Sequence, residues 1–249
     1  MKTLEPSYIV NPTSTPATFD VVVLYVDGVP ACSGAVVSPT AVLTAAHCVS
    51  HASPRSLSIT IGTAAPSRPL LPVSVGVDPA YDAERHLHDL AVLQFDQPLA
   101  SQPLPISTAG LEVGTVVSLA GIGMTDPSTP PVEGFTPAVN EGTARVAQVE
   151  KSWVRLDGAP SFSCQGDSGG PVVVQRGGTF ELVGAVTAGD QNCREYSIVA
   201  RVDNNAWLTS ELRAPPVVGG CSAAGSAPAL ATFLFAVLAL RRRFRRAAR

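Results

Sequence analysis

The chain has 249 residues, enough for a sizeable core, with 15% charged residues, few aromatics, 21 glycines and 22 prolines. That composition suits a β-rich, loop-rich fold better than a helical bundle. The formal charge is −3, but six arginines crowd into residues 241–249; the body ahead of them sets 20 acidic residues against 11 basic ones, a balance of −9, and lacks the basic face of a nucleic-acid binder.

Residues 1–8 are short and polar. They hold no apolar run of the ~7–15 residues that a secretory signal uses, which points to an internal start or a trimmed chain. Ile9-Val10-Asn11-Pro12 follows, then the β-branched run Phe19–Val26, which reads as a strand. Asp27-Gly28 is a turn signal. Ala31–Val37, Ala41–Ala45, Ser56–Ile61, Leu70–Val77 and Leu90–Phe95 read as further strands. Leu57, Ile59 and Ile61 share one strand face. Proline-rich Pro98–Pro105 reads as a crossing segment between two halves.

The second half repeats the pattern. Thr115–Ala120, Gly142–Val149, Val154–Leu156, Pro171–Gln175, Phe180–Thr187 and Ser197–Arg201 are expected strands, and Thr125–Pro137 a surface loop. Many short strands at this spacing predict a sandwich or barrel. Asp203 is expected to N-cap a short helix over Asn204–Leu212, which Pro215-Pro216 ends. Residues 214–220 read as a linker. Ser222–Leu240 carries no charge, and the arginine cluster after it closes the chain. An apolar stretch of about 18–20 residues is near the minimum for a membrane-spanning helix, and the arginines would stay cytoplasmic. The plainer alternative is a buried helix of the globular body.

Five cysteines stand at 32, 48, 164, 193 and 221, with no C-x-x-C and no zinc-like spacing. Four of them suffice for two bridges, which implies an oxidising compartment. Cys221 is the odd one, in a different kind of sequence.

The chemistry centres on Cys164-Gln165-Gly166-Asp167-Ser168-Gly169-Gly170-Pro171. A serine hydroxyl attacks well only when a turn exposes it, a base takes its proton and N–H donors await the developing negative charge. The glycines permit such a turn, with the N–H groups of Gly166 and Ser168 aimed at one point as an oxyanion hole. Of four histidines, His47 sits in Thr44-Ala45-Ala46-His47-Cys48, beside a cysteine able to tie its loop to Cys32. His51, His86 and His88 lack such a setting and read as surface histidines. Asp89 opens Asp89-Leu90-Ala91-Val92-Leu93, at the lip of an apolar strand. Alone it reads as a strand-end turn aspartate. Following His47 and preceding Ser168, it reads as the carboxylate that orients the base.

T-A-A-H-C, D-L-A-V-L and G-D-S-G-G-P, in this order, resemble the trypsin/chymotrypsin family of serine endopeptidases over residues 9–213. The resemblance implies an all-β fold of two antiparallel six-stranded β-barrels with the site in the cleft between them. It implies Ser168 as nucleophile, His47 as general base then acid, and Asp89 as orienter. It implies disulfides Cys32–Cys48 and Cys164–Cys193. It also implies activation by cleavage after Tyr8, with Ile9 as a new N-terminus pairing with Asp167. This chain departs from the usual pattern there, because Asn11-Pro12 replaces a glycine pair. Phe162 matches the floor of the specificity pocket; Ser163, Gly189 and Ser197 match its walls. Thr187-Ala188-Gly189 stands where Ser-Trp-Gly is commoner. With no acid at Phe162, small or medium side chains are expected rather than Lys or Arg.

Gly220-Cys221-Ser222, the apolar run and the arginines resemble MYXO-CTERM sorting tails. That implies export, processing by a sorting protease near Cys221 and retention at the cell surface, with residues 221–249 meeting the membrane. The expected protein is a monomeric endopeptidase acting on polypeptides, without metal or organic cofactor and without nucleic acid. An inactive relative serving as a binding module and an esterase are the alternatives.

Overall fold

The computed structural model describes residues 9–13, 17–62, 69–123, 138–157 and 160–213. The expected leader, the loop over Thr125–Pro137, the linker and the C-terminal membrane helix lie outside those residues. Among the described residues no helix is long and apolar enough to cross a membrane.

Each expected strand forms, with ends shifted by a few residues. The first six are β1 (Val22–Val26), β2 (Val29–Ser38), β3 (Ala41–Thr44), β4 (Leu57–Ile61), β5 (Ser74–Val77) and β6 (Ala91–Gln94). They form a sheet in the order β4-β1-β2-β3-β6-β5. The next six are β7 (Val116–Gly121), β8 (Asn140–Val149), β9 (Trp153–Asp157), β10 (Pro171–Arg176), β11 (Thr179–Gly189) and β12 (Tyr196–Arg201). They close into a barrel in the order β10-β11-β12-β9-β8-β7. All the ladders are antiparallel.

The first sheet is barrel-like, but its end strands share no ladder. Ile59 of β4 and Leu70 exchange backbone hydrogen bonds of 2.8 and 3.0 Å, drawing the ends together just ahead of β5. The expected strand over Leu70–Val77 is cut to Ser74–Val77 because Pro69 and Pro72 have no N–H to give a ladder.

The unbroken β-branched run of β1 is explained by burial on both faces. Val22 and Leu24 point into the first barrel with Val36, Val42, Leu57, Ile59 and Leu93. Val21 and Val23 pack on Ala120, Ile122 and Val139 of the second half. A further apolar cluster joins the two barrels: Ala35, Leu43, Leu90 and Val92 meet Val173, Leu182, Ala185 and Ala200. Each fully buried Leu or Val in such a seam contributes about 1.5–3 kcal/mol relative to an exposed one.

The proline-rich segment crosses between the halves. Leu99 and Leu104 donate to the carbonyls of Pro39 and Val36, and Ser107 donates to Leu182 of β11. The last element of the described residues is α1 (Ala206–Arg213).

Candidate active site

His47 and Asp89 meet because of strand register. β3 and β6 run antiparallel with Thr44 opposite Ala91. The chain leaving β3 and the chain entering β6 therefore share one end of the sheet. One 3-10 turn, Ala46–Cys48, carries His47 past β3, and the Cys32–Cys48 disulfide ties that turn to β2.

Asp89 is fully buried, while the His47 side chain is 28% exposed. The Oδ1 atom of Asp89 accepts the His47 backbone N–H at 2.8 Å, and Oδ2 lies 2.7 Å from Nδ1 of the ring. The Thr187 hydroxyl also donates to Oδ2. Burial alone raises the Asp89 pKa. The His47 ring and its charge, the Thr187 hydroxyl and the His47 N–H outweigh burial and hold the carboxyl below its ordinary value. An ionised Asp89 calls for a proton on Nδ1, which leaves the lone pair of the ring on Nε2.

The second barrel brings Ser168 to the same cleft. Its loop precedes β10 and is tied by the Cys164–Cys193 disulfide. The Ser168 carbonyl accepts the Ser33 N–H of β2 at 2.8 Å and lies 3.9 Å from the Cys48 sulfur. Gly169 has φ +79°, and a Cβ there would fall 2.2 Å from Thr44 Oγ1 and 2.4 Å from the Ser33 carbonyl. Only glycine lets the Ser168 loop come so close to the strands that carry His47. Among the described residues no hydrogen bond joins Ser168 Oγ to the His47 ring.

Within the loop Asp167, Gly169 and Gly170 donate their N–H groups to the carbonyls of Cys164, Val186 and Asp167. Gly166, at φ +97°, and Ser168 donate to no acceptor among the described residues. Two unspent donors two positions apart suit an incoming oxyanion. Ser33 supports them, a role with no signal in the sequence. Its buried hydroxyl donates to the Gly166 carbonyl at 2.9 Å and accepts the Ile122 N–H at 3.1 Å.

Asp167 points inward. Its carboxylate accepts the N–H groups of Gly123 at 2.7 Å and Cys164 at 2.8 Å. Complete burial nonetheless pushes its pKa up to about 7, against those two bonds. Ile9 is buried in the second barrel core, and Val10 exchanges backbone hydrogen bonds with Phe162.

A cavity of about 220 Å³ opens beside Ser168, lined among others by Ser163, Ala188, Gly189, Asp190 and Cys193. Ser163 meets the buried Ser197, with 2.8 Å between the two hydroxyls. Phe162, expected at the floor, does not line this cavity; it is buried with its backbone on Val10. Thr187, expected at the substrate edge, is turned to Asp89. Hollows of about 600 and 510 Å³ flank α1 and share no residue with this cleft. His86 stands close to the other end of the site: His47, His86 and Asp89 each place one metal-ligating atom within 4.8 Å of the others.

The family model for trypsin matches residues 10–208. This chain belongs to the trypsin family. As a member of that family it is a serine-type endopeptidase, a hydrolase. It is 28% identical to a trypsin of Saccharopolyspora erythraea, covering 74% of this chain and 87% of that one. It is 26% identical to the human hepatocyte growth factor activator serine protease, covering 85% of this chain but spanning only 37% of that protein. Glucanase inhibitor protein 4 of Phytophthora infestans is 27% identical, over 67% of this chain and 72% of its own length.

Proposed function

We propose that this trypsin-family chain cleaves polypeptides through Ser168, His47 and Asp89. Ser168 Oγ attacks the scissile carbonyl carbon while His47 Nε2 takes its proton. The carbonyl oxygen gains the negative charge and turns to the N–H groups of Gly166 and Ser168. His47 then passes the proton to the leaving amine, and the C–N bond breaks to leave an ester on Ser168. Water, activated by the same imidazole, hydrolyses the ester and restores the serine. Asp89 keeps the proton on Nδ1 and stabilises the imidazolium throughout. The contact that supports this reading best is the double one between Asp89 and His47, at the ring and at the backbone N–H.

The cavity beside Ser168 suggests the preference. Among the described residues its one lining carboxylate, Asp190, is taken up by the N–H groups of Asn192, Arg194, Glu195 and Tyr196. The two serine hydroxyls behind it carry no charge. Small or medium uncharged side chains fit at the cleaved position.

A fluorophosphonate probe is expected to label the chain, and Ser168→Ala to abolish labelling. That variant should keep its circular dichroism and lose peptide hydrolysis on the order of 10^5-fold. Near-normal turnover by it refutes the assignment, and a peptide library cleaved mainly after Arg or Lys refutes the preference.

Activation by cleavage after Tyr8, a monomeric state, and export with anchoring through residues 221–249 complete the proposal. Mass spectrometry of the mature protein reads both ends and any change at Cys221. A mature chain that keeps Tyr8 and an unprocessed tail rules out the activation and sorting steps.

A further inference from the structure

We propose that His47 and His86 form a binding site for a divalent transition metal such as Zn2+, and that the metal switches the hydrolase off. The inhibitory half of this proposal rests on His47 being the catalytic base; the binding half does not.

His47, His86 and Asp89 bring one donor atom each to within 4.8 Å of the others. The imidazole rings stand edge to face, 6.1 Å apart at their centres. The carboxylate is not the natural ligand, because Oδ1 is held by the His47 N–H and Oδ2 by the His47 ring and the Thr187 hydroxyl. Asp89 instead occupies the position behind a metal-bound imidazole, accepting Nδ1–H and leaving Nε2 basic and oriented. This pairing of carboxylate and histidine recurs in metal sites, and here it is already assembled.

His86 supplies the second nitrogen. Its side chain is exposed, at the end of a short loop. Asp82 and Leu87 close that loop by exchanging backbone bonds of 2.9 and 3.2 Å. Asp82 Oδ1 also accepts the N–H groups of Glu84 and Arg85. His86 itself is held at φ +52°. The loop base is thus fixed while the ring is free to turn. Tetrahedral Zn–N bonds place two nitrogens roughly 3.3 Å apart. Rotation of the exposed ring shortens the separation toward that value.

The donor set selects the metal class. Imidazole nitrogens suit Zn2+, Cu2+ and Ni2+, whereas Ca2+ and Mg2+ want oxygen ligands. The second grouping around His47, with Cys32 and Cys48, offers no thiolate because those sulfurs form a disulfide. Two protein ligands leave the remaining positions to water, so binding is reversible. A metal on Nε2 occupies the lone pair that must receive the Ser168 proton. Bound metal and an active base exclude each other.

The test is calorimetric titration of ZnCl2 into the metal-free chain in its active, mature form, in parallel with peptide hydrolysis over the same concentrations. One Zn2+ per chain is expected, with inhibition following occupancy, reversed by EDTA and not reproduced by MgCl2 or CaCl2. His86→Gln and His47→Gln should each weaken binding at least tenfold. His86→Gln should raise the half-inhibitory Zn2+ concentration by the same factor, with circular dichroism unchanged. Ser168→Ala, which cannot turn over, should bind Zn2+ as the unmodified chain does. Equal affinity in His86→Gln, or no binding at all, overturns the site. Tight binding through both histidines without inhibition keeps the site but overturns the switch and, with it, His47 as the base.

Discussion

Ser33 shows how a single hydroxyl can govern a distant loop. It bridges the Gly166 carbonyl and the Ile122 N–H, and its own backbone N–H holds the Ser168 carbonyl. Ser33→Ala keeps the backbone contact and strands two buried polar groups. A loss of about 1–3 kcal/mol in urea unfolding is expected. The peptide bond of Gly166 loses its anchor, so kcat should fall roughly tenfold or more while KM stays near its starting value, because the oxyanion forms only in the transition state. An unchanged kcat would mean that the loop positions itself. His47, Asp89 and Ser168 were proposed from the sequence because each sits in a local run with a chemical meaning. Ser33 was not, since its role depends on partners 89 and 133 residues away.

At the level of elements, alternation and turn residues located each strand of the described residues, but the ends were decided by neighbours. The helix shows why. Asp203 looks like its cap, yet both carboxylate oxygens bind the Arg201 guanidinium. The cap is Asn205, whose Oδ1 accepts the Leu208 N–H at 2.8 Å while its amide donates to Asp78 at 3.0 Å. A charged partner two residues back outcompetes the first turn of the helix for Asp203. Asn205→Ala should therefore cost about 1 kcal/mol and speed hydrogen exchange at the Leu208 amide. Unchanged exchange there would place the cap elsewhere.

For the molecule as a whole, two buried carboxyls impose opposite responses to pH. Asp89, held below its ordinary pKa, contributes stability that is present above that ordinary value and lost as pH falls through the lower one. Asp167, raised to about 7 by burial, keeps its proton in the fold when the unfolded chain has released it. The uncleaved chain should thus lose stability as pH rises from about 4 to 7. An ammonium created at Ile9 would favour the charged carboxylate and reverse that slope. Urea midpoints across this range, for the uncleaved chain and for one beginning at Ile9, test both signs. Asp167→Asn should flatten the uncleaved profile; a profile that persists in this variant assigns the slope to another group.

The sequence alone carried the class of the fold and the twelve described strands, and it supplied the three side chains of the proposed triad, because hydrophobic alternation and short glycine-, histidine- and aspartate-bearing motifs act within a few residues. Tertiary structure decided which hydroxyl holds the Gly166 carbonyl, that Phe162 stays out of the cavity beside Ser168, and that an unremarkable surface histidine stands edge-on to His47. Those outcomes depend on strand register and on contacts between two barrels, and no local pattern encodes a meeting between residues so far apart along the chain.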